Sequence, residues 1–242
     1  MAGEFSSHPS RFLSRGLTHG GRAKRYGPRM IYYDYYADVP EGAVADFVRS
    51  ARLARLVTVG DGAMPHIGLY PFYPVEGGFE LHLHKDDEQI ADLRARPACL
   101  IELDEVLSTI PSYFVHPENA VFATAYHRTV AFECASTLVE GSDEMAAQQA
   151  RIISRYQPEG RYRAVRAGEP MYGGVLGVLV GLKLVIQKTK VKFKLGQNRD
   201  LATRARIVEQ LRARNAVDDA RTADALQWTI DLGWTTEGLR PV

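Results

Sequence analysis

Between Ala54 and Val106 apolar and polar positions alternate in short runs that are broken at close intervals by turn-forming residues. A two-residue period places successive side chains on opposite faces of a strand. It predicts strands over Ala54–Val59, Pro65–Val75, Phe79–His84 and Ala98–Val106. Gly60-Asp61-Gly62 and Gly77-Gly78 separate the first three, a spacing that suits antiparallel hairpins and is too short for the helical crossovers of a parallel sheet. A helical period governs Pro40–Arg52, where Val44, Phe47, Val48 and Ala51 share one face behind the acidic first turn at Glu41. Asp87–Arg96 reads as a short helix ended by Pro97, and Asp143–Tyr156 as a longer one. Ser108–Asn119 reads as a loop and Tyr126–Glu140 as a long strand. Gly173–Leu195 reads as the closing strands, its glycines permitting a bend or bulge. Leu201–Leu211 and Val217–Ile230 are helical. The pattern is that of an antiparallel, mostly β domain with flanking helices and a C-terminal helical pair.

The densest polar feature lies in the last predicted strand. Lys188, Lys190, Lys192 and Lys194 recur at every second position, with Val191, Phe193 and Leu195 on the opposite face. The chain has seven lysines, and five of them fall between Lys183 and Lys194, so the stripe is a local feature. Two readings stand: a cationic binding face, or a solvated face that lysine protects against edge-to-edge pairing.

Composition narrows the classes. A net charge of +1 over 242 residues excludes a globally basic nucleic-acid binder. Cys99 and Cys134 are too few and too far apart for a zinc site or a disulfide framework, and they read as free thiols of a cytoplasmic protein. The longest apolar stretch, around Val175–Ile186, is interrupted by Gly177, Gly181 and Lys183, so no membrane span is expected. Residues 1–29 carry six Arg or Lys and a single acid, Glu4, with little periodic apolar content. They are expected to form a flexible basic extension ahead of a functional chain that begins at Met30.

Lys192-Phe193-Lys194-Leu195-Gly196-Gln197-Asn198-Arg199 resembles the K-x-K-L-S-Q-N-[KR] ending of PaiB-type FMN-binding transcriptional regulators, within the superfamily of FMN-binding split barrels. The same family's G-H-x-A-[RK]-A-N-P-Q-W is matched at His82, Lys85 and Gln89. Its P-x-x-x-x-x-P-F falls on Pro65, Pro71 and Phe72, and its P-S-W resembles Pro111-Ser112-Tyr113. The resemblance spans about residues 30–214. Thr124-Ala125-Tyr126-His127-Arg128-Thr129-Val130 departs from it, lacking the family's Trp, Asn and second His, and is closer to NimA-type nitroimidazole-resistance members. The resemblance implies an FMN-binding split barrel over 30–200 with a helical segment over 201–242, and a homodimer with FMN at the subunit interface.

A flavin phosphate needs cations and hydrogen-bond donors converging on one point. His84-Lys85 ends a strand just ahead of a helix, although Asp86, Asp87 and Glu88 equally suit an ordinary helix N-terminus. Thr58 could add a hydroxyl. Family matches bring in Gln89, Lys194 and Gln197, and the Tyr126–Arg128 patch could serve the ring, the phosphate or a carboxylate substrate. The cofactor-binding set is therefore Thr58, His84, Lys85, Gln89, Tyr126, Arg128, Lys194 and Gln197, with FMN as cofactor, no metal site and no catalytic residue assigned. His82 and His84 form an isolated H-x-H pair without a third ligand in register. Gly173-Gly174-Val175-Leu176-Gly177 does not open a dinucleotide fingerprint. The implied function is an FMN-dependent oxidoreductase acting on a small acceptor, with NAD(P)H as reductant. The alternatives are a flavin-binding transcriptional regulator, and a split barrel that binds haem through His82 or His84. For the regulator, Arg199, Arg204, Arg206, Arg212 and Arg214 offer a basic row on a helix whose packing stripe is read as Leu201, Ala205, Val208 and Leu211.

Overall fold

The computed structural model describes residues 34–62 and 64–236. The N-terminal extension, Met30, Tyr32 and Tyr33 therefore lie outside the described residues. The elements are α1 (Asp34–Ala37), α2 (Ala43–Ser50), β1 (Ala54–Val59), β2 (Pro65–Tyr70), β3 (Tyr73–Val75), β4 (Gly78–His84), α3 (Glu88–Ala95), β5 (Ala98–Ile110), β6 (Thr124–Val139), α4 (Ser142–Tyr156), α5 (Pro170–Leu176), β7 (Leu179–Lys194), α6 (Leu201–Arg214) and α7 (Asp219–Asp231). The strands form one seven-stranded sheet in the order β2-β1-β5-β6-β7-β4-β3. It is not closed: β2 and β3 end the order. β1 pairs antiparallel with β2 and β5, and β4 pairs antiparallel with β3 and β7.

The chain divides into two compact units. The first holds residues 45–102 and 131–189 of the described chain. In its core Phe79 packs edge-on between Phe72 and Phe132, with ring centroids 5.7 and 4.9 Å away, among the buried side chains of Leu56, Leu81, Ile101 and Leu182. The predicted strand over Pro65–Val75 breaks at Pro71, which has no N–H for a ladder. The next amide, Phe72 N–H, instead donates to the Tyr156 hydroxyl at 2.9 Å. α4 is held on the sheet by two contacts. Arg151 donates twice to the buried Glu80 carboxylate, at 2.7 and 2.8 Å. Gln148 donates to Leu182 O at 2.9 Å, and a Cβ at Gly181 would come within 2.0 Å of the Gln148 Oε1, so only glycine admits this side chain against β7.

The second unit holds residues 34–44, 103–130 and 190–236. Its core gathers Leu103, Leu107, Phe193, Leu195, Ile207, Val208, Leu211 and Leu226. Asp200 caps α6 by accepting from Thr203 N at 2.7 Å. The α6–α7 turn has no glycine and uses Asn215 and Asp218 at φ 48° and 65°, residues that tolerate the left-handed region.

Three expectations are corrected. Gly173, Gly174 and Val175 lie in α5, opened by Pro170 at its first position, and not at the start of a strand; a single strand, β7, follows. Ala98–Val106 continues to Ile110, and the region read as loop contains a 3-10 turn at Ser112–Phe114. The inward face of α6 is Thr203, Arg204, Ile207, Val208 and Leu211, while Leu201 and Ala205 are exposed.

Candidate functional site

In the first unit, Thr58 and Gln89 meet, but in an internal network. The Thr58 hydroxyl donates to Asp92 at 2.6 Å, and the Gln89 amide nitrogen reaches Leu56 O, Thr58 Oγ1 and His66 O. Gln89 in turn accepts from Tyr70 at 2.7 Å, and burial together with Asp87 pushes the Tyr70 hydroxyl up to about 12. His66 Nδ1 lies 2.7 Å from the same Asp92 oxygen, closing a tie between β1, β2 and α3. These bonds use the polar atoms of Thr58 and Gln89 to fasten a helix to a hairpin.

That tie carries a pH dependence. The bond to Asp92 raises the His66 pKa, so its stabilisation is fully present below the ordinary histidine value and is lost as pH rises through the raised folded value. Asp92 is held below the usual carboxylate range by Thr58 and His66 against the opposing effect of burial, so its share is lost only in acid. His66→Gln is expected to remove the fall in melting temperature that the wild type shows as pH rises above the ordinary histidine value. Thermal melts of both proteins at half-unit pH steps check this, and superimposable profiles would refute it.

His84 and Lys85 end β4 as the sequence predicts. His84 is exposed and its Nδ1 accepts from the Asp86 amide at 3.2 Å. Lys85 lines a cavity of about 550 Å³ together with Asp86, Arg94, Glu140, Ser142 and Gly177. Arg94 and Glu140 pair with each other, so the charge around Lys85 is mixed.

The second unit holds the other four expected residues. Arg128 is committed to Glu105, with Nε 2.5 Å from Oε2. Gln197 is buried and serves its own turn: it donates to Tyr35 O at 3.0 Å and to Phe193 O, and accepts from Leu195 N–H at 2.9 Å. Tyr126 is likewise buried in the core, whereas Lys194 is half-buried. Lys194 Nζ reaches the Thr124 hydroxyl at 2.5 Å, and burial first, then Lys192 and Arg199, hold its pKa below the usual lysine value. Burial, with Lys192 and Lys194 adding to it, lowers His127 in the same way. Arg199 stacks over Phe122, 4.7 Å from the ring centroid, and its charge opposes the effect of burial on Tyr36 and Tyr126. The positive charge of Lys192 and Arg199 thus acts on Lys194, and that of Lys192 and Lys194 on His127, with no carboxylate among the described residues offsetting it at either.

Arg204 is the residue that sequence reasoning misplaced. It is fully buried, donates through Nη1 to Thr229 at 2.8 Å and to Trp234 O at 2.7 Å, and among the described residues has no partner at Nε or Nη2. A guanidinium stays charged in a protein, so buried N–H groups without an acceptor are costly. Gly196, at φ 77°, lies against it: a Cβ there would be 3.5 Å from the Arg204 Cγ and 3.6 Å from the Tyr126 ring. Stepping back three, four and seven residues from Ile207, Val208 and Leu211 reaches position 204, and that phase was the available signal. Arg214, although exposed, is tied to Asp219, so α6 keeps Arg206 and Arg212 of the expected basic row, with Arg199 ahead of the helix.

Among the described residues there is no cluster of three metal-ligating side chains and no helix long and apolar enough to cross a membrane. In solved structures the fold recurs. A conserved hypothetical protein from Mycobacterium tuberculosis shares 23% identity over 66% of this chain and 90% of its own, with a TM-score of 0.50. An FAD and heme binding protein from Mycobacterium smegmatis shares 15% over 66% of this chain and 73% of its own, at 0.54. The flavocytochrome Anf3 from Azotobacter vinelandii shares 11% over 68% and 72%, at 0.54. No curated protein matches the chain at a significant level. The open antiparallel sheet with flanking helices is that of the FMN-binding split barrels. Residues 30–188 match the model of the family described as "Putative FMN-binding domain", and the chain belongs to that family.

Proposed function

We propose that this protein binds FMN and acts as a flavin-dependent oxidoreductase on a small acceptor, with a reduced nicotinamide as electron source. The observation that carries the reading is that Lys192 and Arg199 act on the half-buried Lys194 while no carboxylate among the described residues offsets their charge there. A phosphate dianion suits such a group, because it gains charge-assisted hydrogen bonds without displacing an existing ion pair. The mixed charge around Lys85 and the ion pair of Arg128 suit it less.

In this reading Lys194 and Arg199 hold the phosphate, and the buried Arg204 adds positive potential from within. Bound FMN supplies the hydride-transfer chemistry, and the protein supplies position and electrostatics. Assembly as a homodimer and a cytoplasmic location belong to the same proposal. The regulator reading ranks lower because Arg204 is buried and Arg214 is tied to Asp219, which leaves few cations on α6 for a nucleic-acid backbone.

Lys194→Ala is expected to weaken FMN by about 1.5 to 3 kcal/mol, the range for a hydrogen bond to a charged group, or roughly 10- to 150-fold. Riboflavin, which lacks the phosphate, is expected to bind both proteins alike. Titrations followed by flavin fluorescence measure both affinities. Equal losses for the two ligands would assign Lys194 to folding, and a visible spectrum showing haem and no flavin in the purified protein would overturn the cofactor.

A further inference from the structure

In the first unit the sheet keeps an open outer face. Leu56 and Ile101 are buried in the core, so the residues next to them in β1 and β5 face outward, and the strand register sets Ile67, Val57 and Leu100 in one row across β2, β1 and β5. Pro65 beside Val59 and Leu69 beside Arg55 make the rows on either side. These side chains stand in solvent: Ile67 and Leu69 are 61% and 55% exposed. β2 also ends the sheet order, so its outer edge pairs with no strand among the described residues. It carries no lysine, arginine or carboxylate that would keep another chain away. An apolar face that runs out to an unguarded edge is a surface for association.

We propose that this face joins two copies of the chain, packed sheet against sheet about a two-fold axis with Ile67 near its centre. The proposal gives a surface to the homodimer of the reading above and rests on that part of it alone. Charge decides in favour of a second copy as the occupant. Arg55 donates to Glu102 at 2.7 Å on the outward side of β1 and β5. Glu133, between the buried Phe132 and Cys134, faces the same way, and Lys188 lies 3.9 Å from it. Cations and acids on the face are thus matched one to one, so two identical faces meet without repulsion, and a nucleic acid or an anionic membrane finds no excess of positive charge. A two-fold axis lays the Arg55–Glu102 pair of one copy against the inverted pair of the other, which keeps opposite charges adjacent within the contact. Stacked sheets lie about 10 Å apart, close enough for the isoleucine, leucine and valine side chains of the two faces to interdigitate.

Sedimentation velocity of the full chain at micromolar concentration tests the face. The wild type is expected to run as a dimer, and Ile67→Lys and Leu69→Lys as monomers with the far-UV spectrum of the wild type, because a lysine in the contact would be desolvated without a counter-charge while in a single chain it stays in solvent. Val217→Lys, at a position 87% exposed in the second unit, is expected to remain dimeric. A dimer that survives both substitutions in β2 would overturn the face and leave the homodimer standing. Dissociation by Val217→Lys as well would overturn it by showing that added charge anywhere separates the copies. A monomeric wild type would overturn the face and the homodimer together, and a flavin titration of that monomer reads the cofactor assignment separately.

Discussion

Asp219→Ala is expected to destabilise the protein by about 3 to 5 kcal/mol, the cost of removing one member of a buried ion pair. The Asp219 side chain is wholly buried, and every contact to it is a donor. Arg214 donates to both oxygens, at 2.8 and 2.6 Å, Ser108 donates at 2.6 Å, and the Ala216 amide closes the turn at 2.8 Å. This one carboxylate joins β5, the end of α6 and the start of α7. Alanine leaves the Arg214 guanidinium with Thr109 O alone and the Ser108 hydroxyl with Val217 O alone. At about 2 to 4 °C per kcal/mol for a chain of this size, the melting temperature should fall by roughly 10 °C. Acid should bring the two proteins together. The Arg214 guanidinium, with Ser108 and Ala216, holds the Asp219 carboxyl far below the usual carboxylate range against the effect of burial. Its contribution is therefore complete above the ordinary carboxylate pKa and disappears as pH falls through the depressed folded value. Urea unfolding at pH 7 and at pH 3 should show a large gap that narrows; a gap that is small at pH 7 would place the pair in solvent.

Gly78→Ala is the second large effect. Gly78 opens β4 opposite Val185, and a Cβ there would fall 1.8 Å from the Leu184 carbonyl oxygen. That neighbour is backbone, so relief requires β4 and β7 to part. Overpacking of this kind costs about 1 to 3 kcal/mol and occasionally more, and here the upper end is expected because no side chain can rotate away. The loss should extend to the α4 face, since Glu80, the anchor of Arg151, follows two residues later on the same strand. Chemical denaturation gives the magnitude. Hydrogen exchange at Glu80 and Leu182 should accelerate with it, and protected amides there with unchanged stability would show that the strand pair accommodates the methyl group.

Strands were legible wherever one face of the sheet is buried and the turns are short. Ala54–Val59 was predicted with the boundaries observed, and α3 and α4 to within one residue at each end. The errors share a cause. Gly173 and Gly174 weaken a helix by their own preference, yet α5 forms behind Pro170, whose fixed φ suits a first turn. Pro65–Val75 looked continuous because the alternation persists through Pro71. The break there is set by the missing amide and by a tyrosine hydroxyl 84 residues away in sequence.

The expected binding residues divide along similar lines. The sequence by itself determined an antiparallel sheet, a helical pair at the C-terminus and a lysine-rich last strand, because periodicity and local charge are properties of neighbouring residues. What those side chains do was decided by the tertiary structure. Gln89 and Gln197 are turned into internal ties, Arg128 is neutralised by Glu105, and Arg204 is drawn from an expected basic surface into the core. The reason is that a polar group's role depends on which donors, acceptors and charges surround it, and those partners arrive from distant parts of the chain. At Lys194 the chain brings Lys192 and Arg199 to bear, with no carboxylate among the described residues to offset them.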